Sequence, residues 1–357
     1  MTVYILTIHK EPNYGAILQA YALYKKVESL GYTPKFINLK LDHRRVKKNL
    51  VNRITMQLYK FAKGYSRCYG IADKFINQHC PNQTKNFYTF EELEKQKWNK
   101  DDMFIIGSDQ VWNPSITGQL KHAFTFSFLG SGYKMYSYAP SFGFIKEQID
   151  RIDKEMIDSI RSFKKVSVRE KFGVEFLAQK GIQATEVIDP TLLLDNYNHL
   201  IDNKTERRNE LLLLTLSNKK AMNDFADSIS QKTGLKIRKH FGYLQPQRSD
   251  NMKFLTVEEW MKAIASSELI ITDSFHATIF SILFKKQFFV FLSEPNKVYR
   301  IKSLLEKLGI EGHIADPSTS IDIKDVREYG EVEKKLEEYR HESVEFLKSI
   351  LDEGSNL

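Results

Sequence analysis

The run Val3-Tyr-Ile-Leu-Thr-Ile8, the polar turn His9–Gly15, the segment Ala16-Ile-Leu-Gln-Ala-Tyr-Ala-Leu-Tyr-Lys-Lys-Val-Glu-Ser29, then Gly31 and Pro34-Lys-Phe-Ile-Asn-Leu39 read as one βαβ unit. The first run is apolar and too short for a helix, which suits a strand buried on both faces. In the second segment Ile17, Leu18, Tyr21, Leu23, Tyr24 and Val27 recur at helical spacing, and Gly31 stands where a helix C-terminus takes glycine. The third run is again strand-like. Two parallel strands need such a crossover, so the fold class is α/β from the first forty residues.

The same alternation continues outward. Strands are predicted at Met103–Ile106, Tyr133–Tyr138, Lys164–Val168 and Glu186–Ile188, with helices over Phe90–Trp98, Glu147–Phe163 and Gly173–Lys180. After Asp189-Pro190 a second unit begins. Its strands are Leu211–Leu216, Leu235–His240, Leu269–Thr272 and Phe288–Leu292, and its helices Lys219–Thr233, Val257–Ser266 and Phe275–Phe284. The tail Glu331–Leu351 has apolar positions at helical spacing backed by Glu and Lys. A chain of 357 residues exceeds the roughly 250–300 at which single cores stop growing. The expectation is two Rossmann-like domains, residues 1–195 and 196–325, facing a cleft, followed by a C-terminal helix over 326–357. Ligands of such folds bind at the carboxyl ends of the strands.

Composition narrows the function classes. The chain is 42% hydrophobic and 27% charged, as soluble globular proteins are. Cys68 and Cys80 make neither a disulfide framework nor a C-x-x-C pair, and the nine histidines lack metal-ligand spacing. Neither a signal peptide nor a spanning helix is read, so a cytoplasmic protein is expected. The formal charge of +8 is local: Lys40–Arg67 holds nine basic residues and one acid, which leaves 44 of each sign elsewhere. Val46, Leu50, Ile54, Leu58, Phe61 and Tyr65 give that stretch an amphipathic helical pattern with a basic face. No nucleic-acid reading motif accompanies it. Beside a solvated surface, the sharper reading is peripheral contact with anionic lipid headgroups or a lipid diphosphate at the inner membrane face.

Polar residues gather at the strand ends: Gly107-Ser-Asp-Gln-Val-Trp-Asn113, Ala139-Pro-Ser-Phe-Gly143, Arg169-Glu170 and Asp273-Ser-Phe-His-Ala-Thr278. Singly each has a structural reading: Asp109 capping a turn, Arg169 pairing with Glu170, Asp273 as a helix N-cap, Gly15 allowing close packing. Together they mark one face of both sheets. No G-x-G-x-x-G, P-loop, H-E-x-x-H, acidic calcium loop or G-x-S-x-G elbow occurs.

Asn13-Tyr-Gly-Ala-Ile-Leu-Gln-Ala-Tyr-Ala-Leu23 resembles the N-terminal motif of the polysaccharide pyruvyl transferase family. So do Ile106-Gly-Ser-Asp-Gln-Val-Trp-Asn113, Ser137-Tyr-Ala-Pro-Ser-Phe-Gly143, Ser167-Val-Arg-Glu170, Asp189-Pro-Thr-Leu-Leu-Leu194, Thr272-Asp-Ser-Phe-His-Ala-Thr-Ile-Phe-Ser281 and Arg300-Ile-Lys-Ser-Leu-Leu305. The resemblance implies a GT-B-like fold. It also implies transfer of the enolpyruvyl unit of phosphoenolpyruvate to a sugar of a polysaccharide, exopolysaccharide included, or of its lipid-linked precursor, with no further cofactor. Residue by residue it implies that His276 is the acid or the partner of departing phosphate. Asp109 would be the base toward the acceptor, and Arg169 the holder of the donor. Substrate contacts would fall at Asn13, Tyr14, Gly15, Ser108, Ser274 and Arg300. Where some members carry Arg two residues before the His, this chain has Ser274, and Arg300, Lys297 or Arg238 could supply the cation. The competing readings are a GT-B glycosyltransferase using a nucleotide sugar and a non-catalytic member of a polysaccharide assembly complex. The first lacks the acid expected on the helix at 275–284.

Overall fold

The computed structural model describes residues 1–41, 65–143, 152–201, 207–217, 219–241, 255–292, 295–316 and 329–356. In the first half, chain order runs β1 (Thr2–Leu6), α1 (Tyr14–Ser29), β2 (Thr33–Leu39), α2 (Tyr65–His79), β3 (Gln83–Phe87), α3 (Phe90–Glu94), β4 (Met103–Ile106), α4 (Pro114–Thr117), β5 (Lys134–Ser137), α5 (Lys154–Arg161), β6 (Ser167–Val168), α6 (Lys171–Gln179) and β7 (Thr185–Glu186). The strands β3-β2-β1-β4-β5 form one five-stranded sheet, parallel throughout, with Tyr4 opposite both Lys35 and Phe104. All four residues of β4 are buried, as a central strand covered on both faces requires.

The second half carries β8 (Arg208–Thr215), α7 (Lys220–Thr233), β9 (Lys236–Phe241), α8 (Val257–Ser266), β10 (Ser267–Thr272), α9 (Phe275–Leu283), β11 (Gln287–Phe291), α10 (Pro295–Leu308), β12 (Ile314–Ala315) and α11 (Tyr329–Asn356). Its five strands lie parallel in the order β12-β11-β10-β8-β9. Each sheet therefore reverses its winding once, between β1 and β4 in the first and between β8 and β10 in the second. Crevices open at the carboxyl ends of such strand pairs.

One apolar cluster runs through both halves. It takes Tyr14, Tyr21 and Met103 from the first half, and Trp260, Phe280 and Leu347 from the second half and α11. Tyr14 stacks on Trp260 with centroids 5.1 Å apart and donates its hydroxyl to the Leu255 carbonyl at 2.8 Å. Tyr197 packs edge-on against Phe280 at 4.9 Å. The helix α11 begins on the second half, where Lys335 donates to the Leu308 carbonyl at 3.4 Å. It ends on the first, where Lys165 donates to Ser349 O at 3.2 Å and Lys134 to Gly354 O at 2.9 Å.

Several boundaries depart from the sequence expectation. The helix over Phe90–Trp98 stops at Glu94, because Trp98 turns back, donates Nε1 to the Leu93 carbonyl at 3.0 Å and packs on Tyr4 and Phe104. The tail helix extends past Glu331–Leu351 at both ends. The elements α2, β3, α4, α10 and β12 were not read in the sequence. The basic, amphipathic stretch of 40–67 falls almost wholly outside the described residues, and α2 begins only at Tyr65. Among the described residues no helix is long and apolar enough to cross a membrane.

Candidate active site

At the end of β10 the chain passes through Asp273 and Ser274 into α9. The cap of α9 is Ser274, whose Oγ accepts from Ala277 N at 3.4 Å, and not Asp273. Asp273 is buried with both oxygens engaged: Oδ1 accepts from Leu216 N at 2.6 Å, and Oδ2 from Ser217 N at 3.0 Å and Ser217 Oγ at 2.6 Å. It thus ties β10 to the loop after β8 across the switch point of the second sheet. His276 follows in the first turn of α9, which faces the first half of the molecule.

Opposite it stands the first βα turn. Asn13 caps α1 through Oδ1, which accepts from Gly15 N at 2.9 Å and Ala16 N at 3.3 Å. The side chain of Tyr14 is committed to the contact between the halves. Gly15 has no side chain because His276 lies against it: a Cβ there would meet His276 Cε1 at 2.6 Å, and Nδ1 and Cγ more closely still. The ring can sit there only over glycine.

The loop after β4 supplies Ser108 and Asp109. Ser108 is fully buried and accepts the Thr7 hydroxyl on its carbonyl at 2.7 Å. Asp109 adopts φ 75°, a left-handed conformation that Asp tolerates better than most residues. Its carbonyl accepts from Val111 N and Ser141 N, both at 2.8 Å. Ala139, in the neighbouring loop, has φ 55°. Backbone strain of this kind gathers at functional sites.

Arg169 and Glu170 follow β6, and Asp189 lies just beyond β7. Arg169 donates Nη1 to Asp189 Oδ2 at 2.8 Å and Nε to Glu170 Oε1 at 3.1 Å. Glu170 Oε1 also accepts from Ser141 Oγ at 2.7 Å. Asp189 Oδ1 accepts from Thr191 N at 3.0 Å and Thr191 Oγ1 at 2.6 Å. Its Oδ2 stands 3.6 Å from His276 Nε2. The result is a line of side chains, Glu170, Arg169, Asp189, His276, that begins in the first half and ends in the second, its last three members buried. Burial alone would raise the Asp189 carboxyl, but His276, Arg169 and Thr191 outweigh it and hold the group well below the usual carboxylate range. Burial disfavours the Arg169 charge, and Glu170, Asp189 and Asp109 more than restore it.

The sequence-predicted residues therefore divide. Gly15, Arg169, His276 and Arg300 come together, with Asp109 near enough for its charge to act on Arg169. Asn13, Tyr14, Ser108 and Ser274 serve a cap, the contact between halves, a buried turn and a second cap. The cleft beside the line is walled by Arg169, Glu170, Asp189, Phe275, Arg300 and Lys307. The Phe275 ring has the Arg169 guanidinium 5.0 Å and the Arg300 guanidinium 5.5 Å from its centroid. Of the cations considered for a second anion contact, Arg300 lines this cleft. Arg238 stands on β9 beside Glu210 and His240, and the side chain of Lys297 lies outside the described residues. The buried Arg169 Nη2 has no hydrogen-bond partner among the described residues and is a ready donor to an anion. No group of three metal-ligating side chains occurs among the described residues. Sequence reading did not assign Asp189, Glu170 or Phe275. The Asp189-Pro-Thr string was the available signal, but its partners lie on other strands.

A family model described as polysaccharide pyruvyl transferase matches residues 13–295. No curated protein matches the chain. Among solved structures, UDP-GlcNAc 2-epimerase of Methanocaldococcus jannaschii in complex with UDP-GlcNAc and UDP is 11% identical, with a TM-score of 0.51 over 99% of both chains. A second structure of that archaeal epimerase is 12% identical with a TM-score of 0.51, covering 94% of this chain and 92% of the other. At such identity the likeness is one of fold, the GT-B arrangement of two α/β halves.

Proposed function

The chain belongs to the polysaccharide pyruvyl transferase family, and from that premise we propose that it transfers the enolpyruvyl unit of phosphoenolpyruvate to a sugar of a polysaccharide or its lipid-linked precursor, forming a cyclic pyruvate ketal. The observation that carries this reading is the joining, through Asp189, of Arg169 from one half to His276 from the other, beside a cleft lined by a second Arg. The reaction needs such a set. The donor carries a carboxylate and a phosphate, which suit Arg169 Nη2 and Arg300.

Two sugar hydroxyls add to C2 of the donor, and the C2–O bond to phosphate breaks. Two protons leave the hydroxyls; one goes to C3, which becomes the ketal methyl, and one to the departing phosphate. His276 delivers a proton on the donor side. Asp109, on the first half, accepts one from the acceptor. Each such group contributes on the order of 10²–10⁴-fold.

Incubation with phosphoenolpyruvate and a panel of glycan and lipid-linked acceptors is expected to release phosphate in step with acceptor modification. His276→Ala is expected to abolish release while circular dichroism and gel filtration show that it still folds. Absence of release over the whole panel, or full release by His276→Ala, would overturn the reading. The basic stretch of 40–67 belongs to the lipid-linked version of the acceptor. Neutralising Lys47, Lys48 and Arg53 should weaken binding to anionic liposomes at low salt, and unchanged binding would remove the membrane contact.

A further inference from the structure

We propose that Asp189 is a positioning residue for His276: it keeps a proton on Nε2, so that Nδ1, beside the bare Cα of Gly15, is the nitrogen that gives up its proton to the reaction and is left bare in the neutral ring. The proposal rests on the reading above in taking His276 as the reacting histidine. Its grounds are the valences around one carboxylate. Oδ1 of Asp189 is filled by the two donors of Thr191, and Oδ2 by Arg169 Nη1, with the remaining direction of Oδ2 toward His276 Nε2 at 3.6 Å. An ionised carboxylate can only accept, so the atom facing it must carry a proton. His276 Nε2 is buried and has no hydrogen-bond partner among the described residues, which leaves Asp189 Oδ2 as the acceptor it faces.

The far side of the ring agrees. Nδ1 lies against Gly15, where any side chain would cover it. The carboxylate is itself anchored from behind, since Arg169 is held by Glu170, Glu170 by Ser141 Oγ, and Ser141 Oγ accepts from Gly143 N at 3.0 Å. A histidine whose second nitrogen is fixed by a carboxylate has its tautomer and ring orientation set together. Asp189 follows the last strand of the first half, whereas His276 opens α9 of the second. The tautomer is thereby tied to the way the two halves meet.

The test is nitrogen-15 NMR of histidine-labelled protein, with the His276 signals identified by their loss in His276→Gln. The wild type is expected to show the Nε2-protonated form of neutral His276. In Asp189→Asn, whose carboxamide offers a donor as well as an acceptor, mixed tautomers are expected. In that variant kcat should fall at least tenfold, with KM for the donor changed less than about threefold. Thr191→Val keeps the carboxylate but loosens its anchor, and should give a smaller change of the same sign; it serves if Asp189→Asn does not fold. A wild-type His276 protonated on Nδ1, or tautomers unaltered in the folded variants, would overturn the proposal. The spectrum needs no donor or acceptor. The predicted tautomers with no pyruvyl transfer would therefore uphold the role of Asp189 and overturn the assigned reaction alone.

Discussion

Gly15 has a helix position that would ordinarily take alanine, since glycine weakens helices by roughly 0.5–1 kcal/mol. Its reason is His276, whose ring occupies the space of a Cβ. Gly15→Ala is accordingly expected to lower stability by about 1–3 kcal/mol through overpacking and to reduce turnover far more than any surface substitution. Denaturant unfolding beside a turnover assay measures both. Asp109 gives the complementary case. Asp109→Gly relieves a left-handed non-glycine residue while removing a carboxylate, so stability should hold or rise while activity falls. A third prediction concerns acid. His9 is buried between the Thr7 carbonyl at 2.9 Å and Asn38 Oδ1 at 2.8 Å, and burial, partly offset by those bonds, pushes its pKa down to about 4. Between that value and the ordinary 6.5 or so, the unfolded chain binds the proton and the folded chain does not. Stability is therefore fully present above the unfolded value and is lost as pH falls toward 4, by on the order of 3 kcal/mol. His9→Asn should flatten the urea midpoint across that window. Asp189 acts lower: its depressed carboxyl contributes stability throughout the neutral range, lost only as pH falls below the usual carboxylate values.

Elements were legible in the sequence where burial leaves an apolar run. The strands β1, β2, β4 and β10 and the helices α1, α8 and α9 lie in the core, and their residues announce it. The strand β3, with sequence Gln-Thr-Lys-Asn-Phe, is an edge strand with one buried residue, so it has no pattern to read. The two-residue strand β12 is set by its neighbour β11 and leaves no periodicity at all, whereas β6 was read within the apolar run Lys164–Val168. The helix α11 was legible as a helix but not as a clasp. Its amphipathic pattern shows that one face is buried, not that the burying surface changes from one half to the other along its length. Leu347, Ile350 and Leu351 are fully buried, and Leu347→Ala should cost about 2–5 kcal/mol in unfolding free energy.

At the scale of the whole molecule, the site is a product of how the two sheets face each other. Glu170, Arg169 and His276 fall in strings that the sequence reading marked as polar strand ends, whereas Asp189 was read only in a family-like string. What that reading lacked was their mutual reach, because Asp189 meets Arg169 and His276 only after two separate sheets have folded and packed. The missing Arg two residues before His276 has a similar resolution: Ser274 caps α9, and Arg300 enters the same cleft from α10. The most direct test of the account follows a donor labelled with carbon-13 at its methylene. With a competent sugar acceptor, the wild type should move the label into the methyl carbon of a ketal on the acceptor, and His276→Ala should not. Label that stays in the donor, or appears only as free pyruvate, would contradict the account.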